Sequence, residues 1–140
     1  MKILMAVDGS ACTRRMLAYV AAHEEFLSAA HEYTILTVTP HVPPRVTGYF
    51  DRATLEGYYR DQAEEILGPV RAFAKQQPWK SEFVSRVGHA PDVIAELAKQ
   101  GHFDLIVMGS HGHSSLGGAV LGSVTTRVLG HCQTPVLVIR

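Results

Sequence analysis

The chain has 140 residues, of which 46% are apolar and 19% charged, values that belong to a globular chain and exclude a disordered one. Thirteen Lys and Arg balance thirteen Asp and Glu, so there is no basic surplus of the kind that nucleic-acid or anionic-membrane binding draws on. No apolar run approaches the roughly 18 residues of a membrane span, and the five apolar residues after Lys2 are too few for a signal-peptide core. The expectation is one soluble, cytoplasmic domain over residues 1–140.

In chain order, short apolar runs alternate with helical patterns. Ile3 to Val7 reads as a strand buried on both faces, stopped by Asp8-Gly9-Ser10. Met16, Leu17, Val20, Ala21 and Leu27 share one face of a helix, and Ser10 is its expected cap. Tyr33 to Val38 is the second strand, and Pro40 stops it. The Pro-rich stretch 41–48 reads as loop. A second helix runs through Leu55, Tyr59, Ala63, Ile66, Val70 and Phe73, with a kink or break expected at Gly68-Pro69.

Ser81 to Val87 is a more polar strand that suits a sheet edge. Pro91 opens a short helix through Val93, Ile94, Leu97 and Ala98, closed by Gly101. Phe103 to Met108 is the fourth strand and Val136 to Ile139 the fifth. Leu121, Val124, Val128 and Leu129 form the helical face between them, ending at Gly130. This β-α-β-α-β-α-β-α-β order predicts an α/β fold, a doubly wound five-stranded parallel sheet with helices on both faces.

Ligands of such sheets bind beyond the carboxyl ends of the strands, where the strand order reverses. The first strand ends in Asp8-Gly9-Ser10. The fourth leads into residues 109–123, which hold five of the twelve glycines and run into the last helix. Glycine lets a ligand reach backbone amides without a Cβ in the way. Ser123 and the N–H groups beside it suit an oxyanion. A phosphate cradle is one reading of this segment; the other is a connection whose glycines only cap and turn. The segment is neither a Walker A loop nor GxGxxG.

Gly109-x2-Gly112-x9-Gly122-Ser123 resembles the G-x2-G-x9-G-[S/T] signature of nucleotide-binding universal stress proteins. Ala6 to Ser10 is similar to that family's opening strand, FDLIVMGSHG to its fourth strand and loop, and TPVLVIR to its last strand. The resemblance covers the whole chain. It implies a Rossmann-like sheet in the order 3-2-1-4-5, of the adenine nucleotide alpha hydrolase type, and a site for ATP with Mg2+ held mainly through the phosphates.

In that site Ala6, Val7 and Asp8 would lie by the adenosine, with the Asp8 carboxylate near the ribose or the metal-bound phosphates, and Val38 against adenine, while Met108 and Gly109 close the pocket. Gly112, Gly122, Ser123 and Val124 would meet the phosphates, and His113 is a further nucleotide-binding residue. The resemblance also implies a homodimer joined through Val136–Ile139, whose apolar edge is otherwise unprotected.

One departure from the family bears on affinity: members often carry Lys or Arg inside the glycine loop, and residues 109–123 hold neither. His111 and His113 are the only cation candidates there, with Arg127 one turn into the helix. Binding is therefore expected to need Mg2+ and to improve as pH falls toward about 6.

The two histidines have no third ligand at zinc spacing, so no protein-bound metal is expected. His23, His31, His41, His89, His102 and His131 receive no role. Cys12 and Cys132 read as free thiols, Cys12 lying near a helix N-terminus that lowers a thiol pKa. Tyr49, Phe50, Tyr58 and Tyr59 are lid or partner candidates, although packing of the second helix accounts for the latter two.

No constellation for hydrolysis is visible. The expected function is an ATP-binding stress-response regulator or sensor with at most slow hydrolysis. The alternatives are a slow nucleotide hydrolase or nucleotidyl transferase, and a protein of this fold that works through contacts alone.

Overall fold

The computed structural model describes residues 1–113 and 120–140. Their elements are β1 (Lys2–Ala6), α1 (Ala11–Ala22), β2 (Glu32–Thr39), α2 (Pro44–Thr47), α3 (Arg52–Ala74), β3 (Lys80–Val87), α4 (Ala90–Gln100), β4 (Leu105–Gly109), α5 (Ser123–His131) and β5 (Val136–Ile139). The five strands form one parallel sheet in the order β3-β2-β1-β4-β5. Strand β1 is central because Ile3, Leu4 and Met5 are all apolar and none is exposed.

Alternation along the strands sorts the core into two layers. Ile3, Met5, Ile35 and Val107 pack with Met16, Val20, Leu67 and Val70 beneath α1 and α3. Leu4, Leu36, Ile106 and Met108 pack with Ile94, Ala98 and Val128 beneath α4 and α5. Among the described residues the polar strand β3 is an edge, paired only with β2.

Several local expectations are corrected. Pro69 does not split the second helix, which runs unbroken from Arg52 to Ala74. The proline is exposed, and the carbonyl it leaves without an amide donor belongs to exposed Glu65, where water can serve it. Leu27 is fully buried but lies beyond the end of α1, in a turn whose amide donates to the His23 carbonyl. Stretch 41–48 contains the four-residue helix α2, opened by Pro44. Helix α5 starts after Leu121 and continues through Gly130 to His131, and Leu129 is 45% exposed.

Candidate functional site

The switch point lies between β1 and β4. Chain from β1 crosses to β2 on one side, while β4 pairs with β1 on the other through Met5–Val107 and Ala6–Met108. A cavity of about 340 Å3 opens at the carboxyl ends of these strands, near the lower end of the roughly 300–1,000 Å3 usual for ligand pockets. All eleven residues singled out from the sequence line it: Ala6, Val7 and Asp8, then Val38, then Met108, Gly109, Gly112 and His113, then Gly122, Ser123 and Val124.

Asp8 is held by its own turn. Its Oδ1 accepts from the Ser10 amide at 2.9 Å and the Thr13 hydroxyl at 2.9 Å. Gly9 makes that turn with φ of +76°, in the left-handed region that other residues avoid. Ser10 caps α1 by accepting from the Thr13 amide at 3.4 Å. One carboxylate oxygen is thereby engaged within the turn, while Oδ2 faces the glycine segment. A Cβ on Gly112 would stand 2.5 Å from it.

The glycine segment is tied down at both ends. The His113 Nε2 donates to the Asp8 carbonyl at 2.6 Å, joining the segment to the end of β1. The Gly122 amide donates to the Ser110 carbonyl at 2.7 Å. The Thr125 hydroxyl donates to the Gly109 carbonyl at 3.0 Å. Residues 114–119, Ser114 to Ala119, lie outside the described residues.

Gly122 caps α5 without any side-chain hydrogen bond. Ser123, Val124 and Thr125 of the helix's first turn line the cavity, so the positive end of the helix dipole lies at this side of it. This arrangement suits an anion. The lining is otherwise largely apolar, with Leu36, Val38 and Pro40 of β2 and its end, Ala90 and Ile94 of α4, and Met108. An apolar slot beside an amide-lined end suits a flat ring that carries an anionic group.

Of these wall residues only Val38 and Met108 were named from the sequence. Leu36 was recoverable, since it shares the Val38 face of β2. Ile66, Ala90 and Ile94 were not, because nothing local in α3 or α4 shows which helix overhangs the strand ends.

Cys12 lies just under the cavity floor. A Cβ on Gly109 would stand 2.7 Å from the Cys12 Cβ. Burial opposes ionisation of this thiol, but hydrogen bonds from the Arg15 guanidinium, the His111 backbone and the Ser110 side chain outweigh it and hold its pKa below the ordinary thiol value. The aromatic lid candidates stand away from the cavity lining: Tyr49 is 86% exposed, Tyr58 is 45% exposed, and the Tyr59 hydroxyl accepts from the Val42 amide at 3.0 Å. Among the described residues no three His, Cys, Asp or Glu side chains cluster as a metal site, and no helix is long and apolar enough to cross a membrane.

The fold and this site define an α/β chain with a cavity at the carboxyl ends of its strands. The universal stress protein family model matches residues 1–140, and the chain belongs to that family. It is 29% identical over 139 residues to Universal stress protein Slr1230 of Synechocystis sp.. That match covers 99% of this chain and 42% of the relative, so the chain spans less than half of that relative's length.

The solved structure of MJ0577, a universal stress protein of Methanocaldococcus jannaschii, superposes with a TM-score of 0.83 at 28% identity, covering 99% of this chain and 94% of that one. A universal stress protein solved in complex with cAMP shares the fold, with a TM-score of 0.65 at 22% identity over 100% of this chain and 96% of that one.

Proposed function

We propose that the strand-end cavity binds an adenine nucleotide and that the chain acts as a stress-response regulator or sensor through that occupancy. One observation carries the reading: eleven residues from four separated stretches of sequence line a single cavity whose lining joins apolar side chains to the first turn of α5, where Gly122 supplies no side-chain cap. The base would lie against Val38 and Met108, and the phosphate against Gly112, Gly122 and Ser123. The cAMP held by a protein of the same fold supports this class of ligand.

ATP would enter as its Mg2+ complex. Asp8 is the only carboxylate in the described lining and has Oδ2 as its one oxygen outside the turn, so the phosphates would supply most of the metal's ligands. The same engagement of Oδ1 argues for binding rather than turnover, since a general base must be able to take a proton from the attacking group. A homodimer joined through Val136–Ile139 in the cytoplasm completes the reading, because among the described residues β5 is paired on one side only.

The test is denaturation of freshly purified protein and chromatography of the released nucleotide, alongside Gly122→Val. A Cβ at Gly122 already stands 3.2 Å from His111 Cα and from the Ser110 carbonyl, so a branched side chain there distorts the anion end. Near-stoichiometric adenine nucleotide in the wild type, lost in the variant, supports the reading. If the wild type is empty and a titration with millimolar Mg-ATP also fails, the contact-only alternative replaces it. Release of ADP or AMP from added ATP at a steady rate favours the hydrolase or transferase alternative.

A further inference from the structure

We propose that this cavity ranks adenine nucleotides by phosphate charge and takes those with a single phosphate group ahead of ATP. The proposal rests on the nucleotide reading above and adds a substrate class to it.

The charges around the anion end carry the argument. Asp8 is the one permanently charged side chain in the described lining, and its free Oδ2 faces Gly112 in the segment that would hold the phosphate. Residues 114–119 are Ser-Ser-Leu-Gly-Gly-Ala and bring no ionisable side chain, so nothing in 109–123 offsets that carboxylate with a Lys or Arg.

No Lys or Arg of α1, α3, α4 or α5 is part of the described lining. The Arg14 Nη1 donates to the Gly9 carbonyl at 3.4 Å, the Arg15 Nη2 to the Cys12 Sγ at 3.1 Å, and the Arg127 Nη1 lies 3.5 Å from the His89 Nε2. None of the three lines the cavity.

What the described lining offers an anion is the α5 amide end, equivalent to roughly half a positive charge, beside the imidazoles of His111 and His113, the second of which donates its Nε2 hydrogen to the Asp8 carbonyl. At neutral pH AMP carries about two negative charges and ATP about four. Amide hydrogen bonds satisfy one phosphate group as well in either ligand. Each further phosphate adds charge next to Asp8 with no Lys or Arg in the described lining to receive it, in a cavity where repulsion is less screened than in water.

The experiment is calorimetric titration of the full chain with adenosine, AMP and ATP in EDTA, repeated with Mg2+. The proposal expects AMP to bind at least tenfold more tightly than ATP in EDTA, and Mg2+ to narrow that gap. It also expects Asp8→Asn, which keeps the shape and an acceptor for Ser10 and Thr13, to reduce the ATP-to-AMP ratio of dissociation constants severalfold. Because both ligands share the adenosine half, the ratio reads the phosphate end alone.

ATP binding as tightly as AMP in EDTA, or a ratio unmoved by Asp8→Asn, would overturn the ranking while leaving the nucleotide reading intact. Failure of adenosine, AMP and ATP alike would overturn the nucleotide reading and the ranking with it.

Discussion

Gly112 and Asp8 meet across the switch point so closely that a Cβ on the glycine would lie 2.5 Å from the carboxylate Oδ2. The carboxylate cannot simply swing away, because its Oδ1 is held by the Ser10 amide and the Thr13 hydroxyl. Gly112→Ala therefore moves either the glycine segment or the turn after β1. The expected cost in folding stability is about 1–3 kcal/mol, as for other overpacked sites. Adenine-nucleotide affinity should fall by more than that of a control substitution such as Gly57→Ala, where a Cβ meets nothing within 4 Å. Urea unfolding and calorimetric titration of both variants check this; equal affinities would remove the contact from the account.

A second close approach lies one layer deeper. Gly109→Ala would bring a Cβ to 2.7 Å from the Cys12 Cβ and 3.3 Å from the Cys12 backbone carbon. Both partners are fixed, one in β4 and one in α1, so the expected loss is again about 1–3 kcal/mol. Cys12→Ala should not restore stability, since it keeps the offending carbon. Cys12→Gly removes that carbon and should recover part of the loss beyond its own helix-propensity cost of about 1 kcal/mol. Denaturant midpoints of the two double variants decide the matter.

The sheet was legible because its strands are short runs of continuous apolar residues, and Ile3 to Met5 need no tertiary information to be read as buried on both faces. The site was legible through spacing: Gly109, Gly112 and Gly122 mark where backbone must come close, and the structure meets Cβ obstruction at each of them. Pro69 misled because the cost of a proline depends on which face it occupies, and facing is a tertiary property. Leu27 misled in the opposite sense, since its burial fits a helical period although the helix has already ended at Ala22. The overhang of Ile66 and Ile94 depends on where α3 and α4 cross the strand ends, which no local pattern encodes.

The Cys12 thiol should titrate below an ordinary cysteine, and Arg15→Ala should move its midpoint upward. Burial pushes that midpoint up, while the Arg15 hydrogen bond is the largest of the influences that pull it down. Ultraviolet thiolate absorbance against pH in a Cys132→Ser background reads the shift directly. The linkage has a definite sign: a thiol that ionises at lower pH when folded favours the folded chain above the unfolded pKa, and that contribution disappears as pH falls through the folded value. Arg15→Ala should therefore lower stability more at alkaline than at neutral pH. An equal loss at both would assign Arg15 a packing role only.

Strand β5 gives the last prediction. It pairs with β4 through Ile106–Val136 to Gly109–Ile139 and leaves its other edge without a partner among the described residues. Val136, Leu137 and Val138 are only partly buried, so an apolar strand edge faces outward unless a second copy covers it. Natural sheets protect such edges with charge or pairing, and Val136 to Ile139 carry no charge. Light scattering should thus find a dimer at micromolar concentration. Val138→Lys places a charge in that edge and should raise the dimer dissociation constant at least tenfold, about 1.4 kcal/mol, with the circular dichroism of the fold retained. A monomeric wild type at the same concentration would exclude β5 pairing, and an unshifted variant would place the dimer contact on another face.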